Sequence, residues 1–276
     1  MTVLPHADED AAAYRALTEK IARDRGFHCG SYKERCVRRR IAVRMRAKGV
    51  HTYRDYARTL DEDPREYEKL LDALTINVTK LFRNPDTFSA VAAKVVPALW
   101  ATPRPISVWS AGSSSGEEVY SLAALFHRHA EREGQAALLP GRLRILGTDI
   151  DRESLERARA GVYQEAAFAD TPDDLRARYF SPGFPATVAP ELRPLVAFER
   201  RDILRDPPPP GPHQLVVCRN VVIYFDRPTQ EALFERFHEA LAPGGYLVLG
   251  KVETLLGPAR GRFSAVDQRE RIFRRP

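Results

Sequence analysis

The chain has 276 residues, 43% of them apolar, with 43 basic against 37 acidic side chains and a net charge of +6. That suits an ordinary globular protein of one sizeable domain plus a smaller one, and no run of 18 apolar residues exists to cross a membrane. Met1 to Asp10 lacks an apolar stretch behind a basic start, which predicts no secretory signal. Cys29, Cys36 and Cys218 fit neither a disulfide framework nor a zinc spacing, which predicts a reducing cytoplasm.

The first 75 residues read as helices. Tyr14 to Arg25 is one, stopped by Gly26. Ser31-Tyr32-Lys33-Glu34 has the pattern of a capping box, in which Ser and Glu satisfy each other's backbone donors. The helix that follows closes at Gly49, and Val37, Ile41 and Met45 mark its buried face. Between Ser31 and Lys48 there are eight Lys/Arg against one Glu. The rest of the chain is therefore close to neutral. Arg35, Arg38, Arg39 and Arg46 fall on the face opposite the apolar stripe, and a local basic patch implies an acidic partner. Asp63-Pro64 starts another helix with Pro at its first position. Asn84-Pro85 repeats the device before a helix reaching about Leu99.

From Ile106 the pattern alternates. Strands are predicted at 106–109, 143–148, 195–200, 214–218 and 246–249, with helices at 116–132, 151–160 and 228–241. This is the pattern of a parallel sheet covered by helices on both faces. Residues 162–194 interrupt it as a small insertion, and Pro207 to Pro210 reads as a stiff connector.

Polar residues gather at the predicted strand ends. Ala111-Gly112-Ser113-Ser114-Ser115-Gly116 is a glycine-rich turn between a strand and a helix N-terminus. Its spacing is not that of a dinucleotide fingerprint. Asp149 ends the second strand, where an acid accepts from ribose hydroxyls, and Asp151 reads as a helix cap. Glu117 and Glu118 open the first helix, where the dipole favours carboxylates in any case. Asp202 follows the third strand, and Arg219-Asn220 the fourth. In an open α/β sheet these ends describe one cleft.

The stretches Leu74–Arg83, Val108–Glu118, Gly147–Asp151 and Cys218–Phe225, in that order, resemble the CheR family of chemotaxis receptor glutamate methyltransferases. The resemblance implies a class I S-adenosylmethionine-dependent methyltransferase: α/β, Rossmann-like, with a mostly parallel sheet. It adds a small all-helical N-terminal domain and a small inserted β-subdomain. The expected division is 1–75 helical, with a docking helix at 31–48; 76–100 linker; and 101–276 catalytic, with the insertion at about 162–194.

Carried over motif by motif, the resemblance implies cofactor contacts at Asn77, Thr79, Arg83, Ala111, Gly112, Glu118, Asp149, Asp202, Ile203, Arg219 and Asn220. It implies a tyrosine at the site, Tyr224. Arg83 and Tyr224 are expected to position a carboxylate, either that of the methionine moiety or that of the substrate. No metal is implied. Asp202 stands where the family has Asn, Leu81 replaces an aromatic, Val119 a proline, and Gly250-Lys251-Val252-Glu253 a Gly-His-Ser-Glu-like segment. The implied partner is an acidic helical methylation region, docked by Arg35, Arg38, Arg39 and Arg46. The expected protein is a monomer that binds no nucleic acid and inserts in no membrane. The rival readings are a nucleic-acid methyltransferase using the same basic patch, and a cofactor-binding regulator without activity. The stretch 179–194 carries four prolines, each without the N–H that strand addition of a receptor peptide would use, which predicts that no such tether is needed.

Overall fold

The structure, a computed structural model, describes residues 5–75 and 79–276. It divides into two compact units. One comprises the chain up to residue 76 together with Tyr224–Asp226, and the other comprises the remainder.

The first unit is built from helices α1 (Pro5–Arg25), α2 (Glu34–Ala47), α3 (Tyr53–Glu62) and α4 (Pro64–Leu74). Their apolar stripes meet in a core of Leu17, Ile21, Val37, Ile41, Tyr56, Leu60, Leu70 and Leu74. Asp63 caps α4 by accepting from the N–H groups of Arg65 and Glu66, with Pro64 at the first position. Two expectations fail. Ser31 closes a short 3-10 turn, Cys29–Ser31, so it caps nothing; Lys33 precedes α2 and makes no side-chain cap. Arg38 also leaves the exposed face. Three residues beyond Arg35, a rotation of about 100° per residue carries it to the flank of the helix. There its guanidinium lies 3.8 Å from the Tyr14 ring centroid and bonds Glu34 at 2.6 Å.

The second unit begins its helices at α5 (Pro85–Ala90), a π-helical turn (Val91–Val95) and α6 (Val96–Trp100). Pro97 lacks an N–H, and the widened turn before it spares the helix the clash that a regular pitch would impose. The series continues with β1 (Ile106–Ala111), α7 (Glu117–Arg132), α8 (Leu139–Arg142), β2 (Leu143–Asp149) and α9 (Arg152–Ala160). Then come β3 (Val162–Tyr163), α10 (Asp173–Tyr179), β4 (Ala186–Thr187), β5 (Val196–Arg200), β6 (His213–Cys218), α11 (Arg227–Ala240), β7 (Leu241–Leu249), α12 (Ala259–Arg262), β8 (Ser264–Asp267) and β9 (Ile272–Arg274).

Seven strands form one sheet in the order β5-β2-β1-β6-β7-β9-β8. Neighbours from β5 to β7 pair in parallel, and β9 and β8 add an antiparallel edge. The strand order reverses between β1 and β6, so the cleft of an open α/β sheet falls beyond their carboxyl ends. The expected mostly parallel sheet is therefore present, and the hairpin β8–β9 is an addition to it. The insertion contains the two-residue strands β3 and β4, paired antiparallel. Tyr163 of β3 donates its hydroxyl to the carbonyl of Ser115 at 2.8 Å, so the insertion braces the glycine-rich turn.

In the helical unit, Glu66 is 1% exposed and bonds Arg44 twice, at 3.0 and 2.6 Å, and the Tyr56 hydroxyl at 2.7 Å. Burial works against its charge, but the Arg44 and Tyr56 bonds hold the carboxyl below its usual 4.5. A depressed carboxyl stabilises above its unfolded pKa, and the contribution is lost as pH falls through the folded value. Glu66→Ala should therefore cost about 3 kcal/mol, since it leaves a half-buried guanidinium unpaired. In chemical denaturation, the difference between variant and wild type should shrink below pH 4.5. A constant difference down to pH 3 would show that the cost does not come from the ionised pair.

Candidate functional site

Three strand ends of the second unit build the cleft. After β1 the chain turns at Gly112, whose φ of +81° is open to glycine without cost. A Cβ there would stand 2.6 Å from Cγ2 of Val221, so this turn and the loop after β6 touch at van der Waals distance. Ser114 is also left-handed, at φ +48°. It is held there by Asp149, which ends β2 and is 9% exposed. One Asp149 oxygen accepts from Ser114 N–H at 2.8 Å, the other from Asp151 N–H at 3.0 Å. Burial raises the Asp149 carboxyl, against the pull of these backbone donors. A carboxylate has about four lone-pair sites, so each oxygen keeps capacity for a hydroxyl. Asp151 caps α9 through Glu153 N–H at 3.0 Å, the role its place in the sequence suggests.

Arg219 leaves the end of β6 with 3% of its side chain exposed. It pairs with Glu118 at 3.2 Å and bonds the Arg83 carbonyl at 2.5 Å and Asn84 Oδ1 at 3.0 Å. Ser110 donates to the other Glu118 oxygen at 2.8 Å. Burial raises the Glu118 carboxyl, and Arg219 and Ser110 oppose this. Phe82 and Asn84 flank Arg83 with φ of +53° and +64°, two left-handed residues that bear side chains. Arg219 thus grips a strained turn and fixes the origin of the Arg83 side chain. Asn84 serves as its acceptor rather than as a side-chain cap of α5.

Ala111 is the buried last residue of β1. Asp202 and Ile203 stand in a turn after β5, where Asp202 Oδ1 accepts from Leu204 N–H at 2.9 Å. Thr79 is half-buried, and Asn77 lies outside the described residues. Asn220 is left-handed, at φ +60°, and its N–H goes to Glu253 at 3.0 Å. Glu253 is not among the site residues expected from the sequence; its signal there is the Gly250–Glu253 segment just past the end of β7, which resembles the family's Gly-His-Ser-Glu.

Tyr224 groups with the helical unit. Its carbonyl accepts from Lys33 N–H at 2.9 Å, and the Arg40 guanidinium lies 5.1 Å from its ring centroid. Arg40 also donates to the Leu74 carbonyl. The neighbouring Phe225 packs its ring against Tyr32, 5.0 Å between centroids.

Residues 12–75 match the family described as CheR methyltransferase, all-alpha domain, and residues 77–272 match CheR methyltransferase, SAM binding domain. The chain belongs to the CheR methyltransferase family. A chemotaxis protein methyltransferase of Klebsiella aerogenes is 34% identical over 258 residues, covering 91% of this chain and 84% of that one. One of Listeria innocua is 32% identical over 259 residues, covering 93% and 94%. An uncharacterized 104.1 kDa protein of Rhodobacter capsulatus is 36% identical over 269 residues. That match takes in 96% of this chain and 28% of the relative, so the chain spans less than a third of that protein.

The CheR-family cofactor, S-adenosylmethionine, suits the donors present. Asp149 offers spare lone pairs at the tip of β2. The turn at Gly112 lets a ligand approach the backbone, and the Ser113 and Ser114 hydroxyls are buried there without a described partner. Asp149→Ala removes a charge-assisted acceptor worth about 1.5 to 3 kcal/mol. Calorimetry should show S-adenosylmethionine affinity falling roughly tenfold or more, and Asp149→Asn should fall between the two. Undiminished affinity in the Ala variant would remove the ribose assignment.

Proposed function

We propose that the chain transfers a methyl group from S-adenosylmethionine to glutamate side chains in an acidic helical region of a chemoreceptor-like protein. The products would be a glutamate methyl ester and S-adenosylhomocysteine. The observation that carries this reading is the pairing of an acid-tipped β2 and glycine-rich turn with an arginine, Arg83, presented from a clamped turn beside them. The names of the relatives, chemotaxis protein methyltransferases, support the substrate class.

The chemistry asks for alignment more than for proton transfer. A glutamate carboxylate has a reference pKa of about 4.3 and is ionised at neutral pH. The cofactor, when bound, supplies a sulfonium methyl open to attack by that carboxylate. The chain's own part is to hold the reactants in line and exclude water, which is where most of the rate must come from. Asp149, Gly112 and Asn220 would hold the cofactor, with Glu118 and Arg219 behind them. Arg83 would orient a carboxylate. No described helix is long and apolar enough to cross a membrane. A cytoplasmic location, where the acidic region of a receptor is within reach, belongs to the same proposal.

On α2, Arg35, Arg39 and Arg46 are exposed along one face, and Val43 is an exposed apolar residue beside them. These three cations are the proposed docking stripe. Arg38 belongs instead to the Tyr14 and Glu34 contacts that hold α2 in its unit.

The deciding assay measures methyl transfer to a receptor fragment, to DNA and to RNA. A base-labile methyl ester on the receptor fragment is expected, and transfer to nucleic acid instead would overturn the reading. Arg83→Ala should leave cooperative unfolding intact and lower turnover on the order of a hundredfold, the effect of losing reactant alignment. Normal turnover in the folded variant would make Arg83 structural.

Reversing charge at Arg35, Arg39 and Arg46 together should raise the Michaelis constant for the receptor fragment and spare cofactor affinity. The effect should fade with salt, since exposed charges are screened over about 8 Å at physiological ionic strength. Equal Michaelis constants at low salt would mean that the stripe is merely solvated.

A further inference from the structure

After β7 the chain makes a tight turn, Gly250-Lys251-Val252-Glu253, closed by Glu253 N–H donating to the Gly250 carbonyl at 2.9 Å. The turn sends the Glu253 side chain back among the strand ends, where the residue is 3% exposed. A carboxylate this deep must find donors or lose its charge. It finds four, all backbone amides. One oxygen accepts from Gly250 at 2.6 Å and Asn220 at 3.0 Å; the other accepts from Val221 at 2.9 Å and Ile223 at 3.3 Å. Burial raises the carboxyl and these donors oppose it.

Three of the four donors lie in the loop that leaves β6. Asn220 is left-handed at φ +60°, a conformation that asparagine adopts more readily than other residues with a side chain and that a hydrogen-bonded backbone can select. Glu253 selects it by fixing the N–H on either side of the Asn220 carbonyl, those of Asn220 and Val221. Gly250 is part of the same arrangement. A Cβ there would stand 2.7 Å from Glu253 Oε2 and 2.9 Å from Asn220 N, so no other residue lets the carboxylate come so close. The loop passes its position on. Val221 abuts Gly112 of the glycine-rich turn, and Arg219, next to Asn220, holds the turn that carries Arg83.

We infer that Glu253 is a positioning residue: it locks residues 220–223 against the glycine-rich turn and thereby sets the shape of the cofactor cleft. It rests on the reading of this cleft as the S-adenosylmethionine site. Glu253 itself need touch neither cofactor nor substrate. Its carboxylate could not be replaced by an amide, because a Gln side chain would turn an N–H group toward two of the four amide donors. Asp is one methylene shorter and could not reach both Gly250 and Ile223.

The test compares Glu253→Gln and Glu253→Asp with the wild-type chain by thermal unfolding, amide hydrogen exchange and calorimetric binding of S-adenosylhomocysteine. Cooperative unfolding should persist. Exchange in peptides covering 219–223 and 250 should quicken at least tenfold while β1 and β2 keep their protection. Affinity for S-adenosylhomocysteine should fall about tenfold or more. Unchanged exchange or unchanged affinity in a folded variant overturns the inference. So does a loss of protection throughout the sheet, or failure of both variants to fold, since Glu253 would then be a residue of general stability. A wild-type chain that binds no S-adenosylhomocysteine would remove the cleft reading instead, and the exchange arm would still judge the clamp.

Discussion

A guanidinium taken out of water must be given acceptors, and in this chain Arg219 collects three of them from two elements at once. Its pair with Glu118 joins β6 to α7, and its bonds to the Arg83 carbonyl and Asn84 Oδ1 join both to the turn before α5. The arrangement is mutual. Glu118 would be a buried, unpaired acid without Arg219, and the left-handed residues Phe82 and Asn84 would lose the contact that fixes the carbonyl between them. Breaking such a pair costs far more than the pair contributes relative to an apolar substitute, because one charge is left stranded. Arg219 therefore acts on the position of Arg83, and its location in the cleft does not by itself make it a cofactor contact.

Two carboxylates share a second device. Asp149 at the end of β2 and Glu253 beyond β7 each accept backbone N–H groups from a loop that would otherwise be free to move. Asp149 holds Ser114 in its left-handed state, and Glu253 holds Asn220 in its own. The two loops meet where Val221 lies against Gly112. Both walls of the cleft are thus pinned by carboxyl groups that accept backbone N–H groups. A cleft pinned before its ligand arrives loses less conformational freedom on binding, which is the physical basis of preorganised positioning.

What the sequence reveals follows from the range of the interaction concerned. The runs that form β1, β2 and β6 are apolar and bounded by turn residues, so they are legible, and the polar residues at their ends are legible with them. Asp151 is legible as a cap because capping is a local matter of two or three residues. The strands β8 and β9 have four and three residues, too short for a period to declare itself. The Ser31–Glu34 pattern is a true motif that the chain does not use, because the 3-10 turn at Cys29–Ser31 closes before α2 begins. Arg219–Glu118 joins residues 101 apart, and Glu253–Asn220 joins residues 33 apart; neither pairing leaves a local trace.

Charge counting along α2 shows most clearly why a pattern must be resolved residue by residue. Eight basic side chains between Ser31 and Lys48 suggest one strongly cationic surface. Four of them are engaged inside their own unit: Arg38 with Tyr14 and Glu34, Arg40 with the Leu74 carbonyl and the Tyr224 ring, Arg44 with Glu66, and Lys48 with Asp63. The helix therefore presents different chemistry on each side. Val37, Ile41 and Met45 face the core, Arg40 faces the segment that carries Tyr224, and Arg35, Arg39 and Arg46 face outward. A partner meeting the outward side encounters three cations spaced along about three turns of helix. That geometry favours an acidic helix, whose carboxylates can repeat at a similar pitch, over a single compact anion.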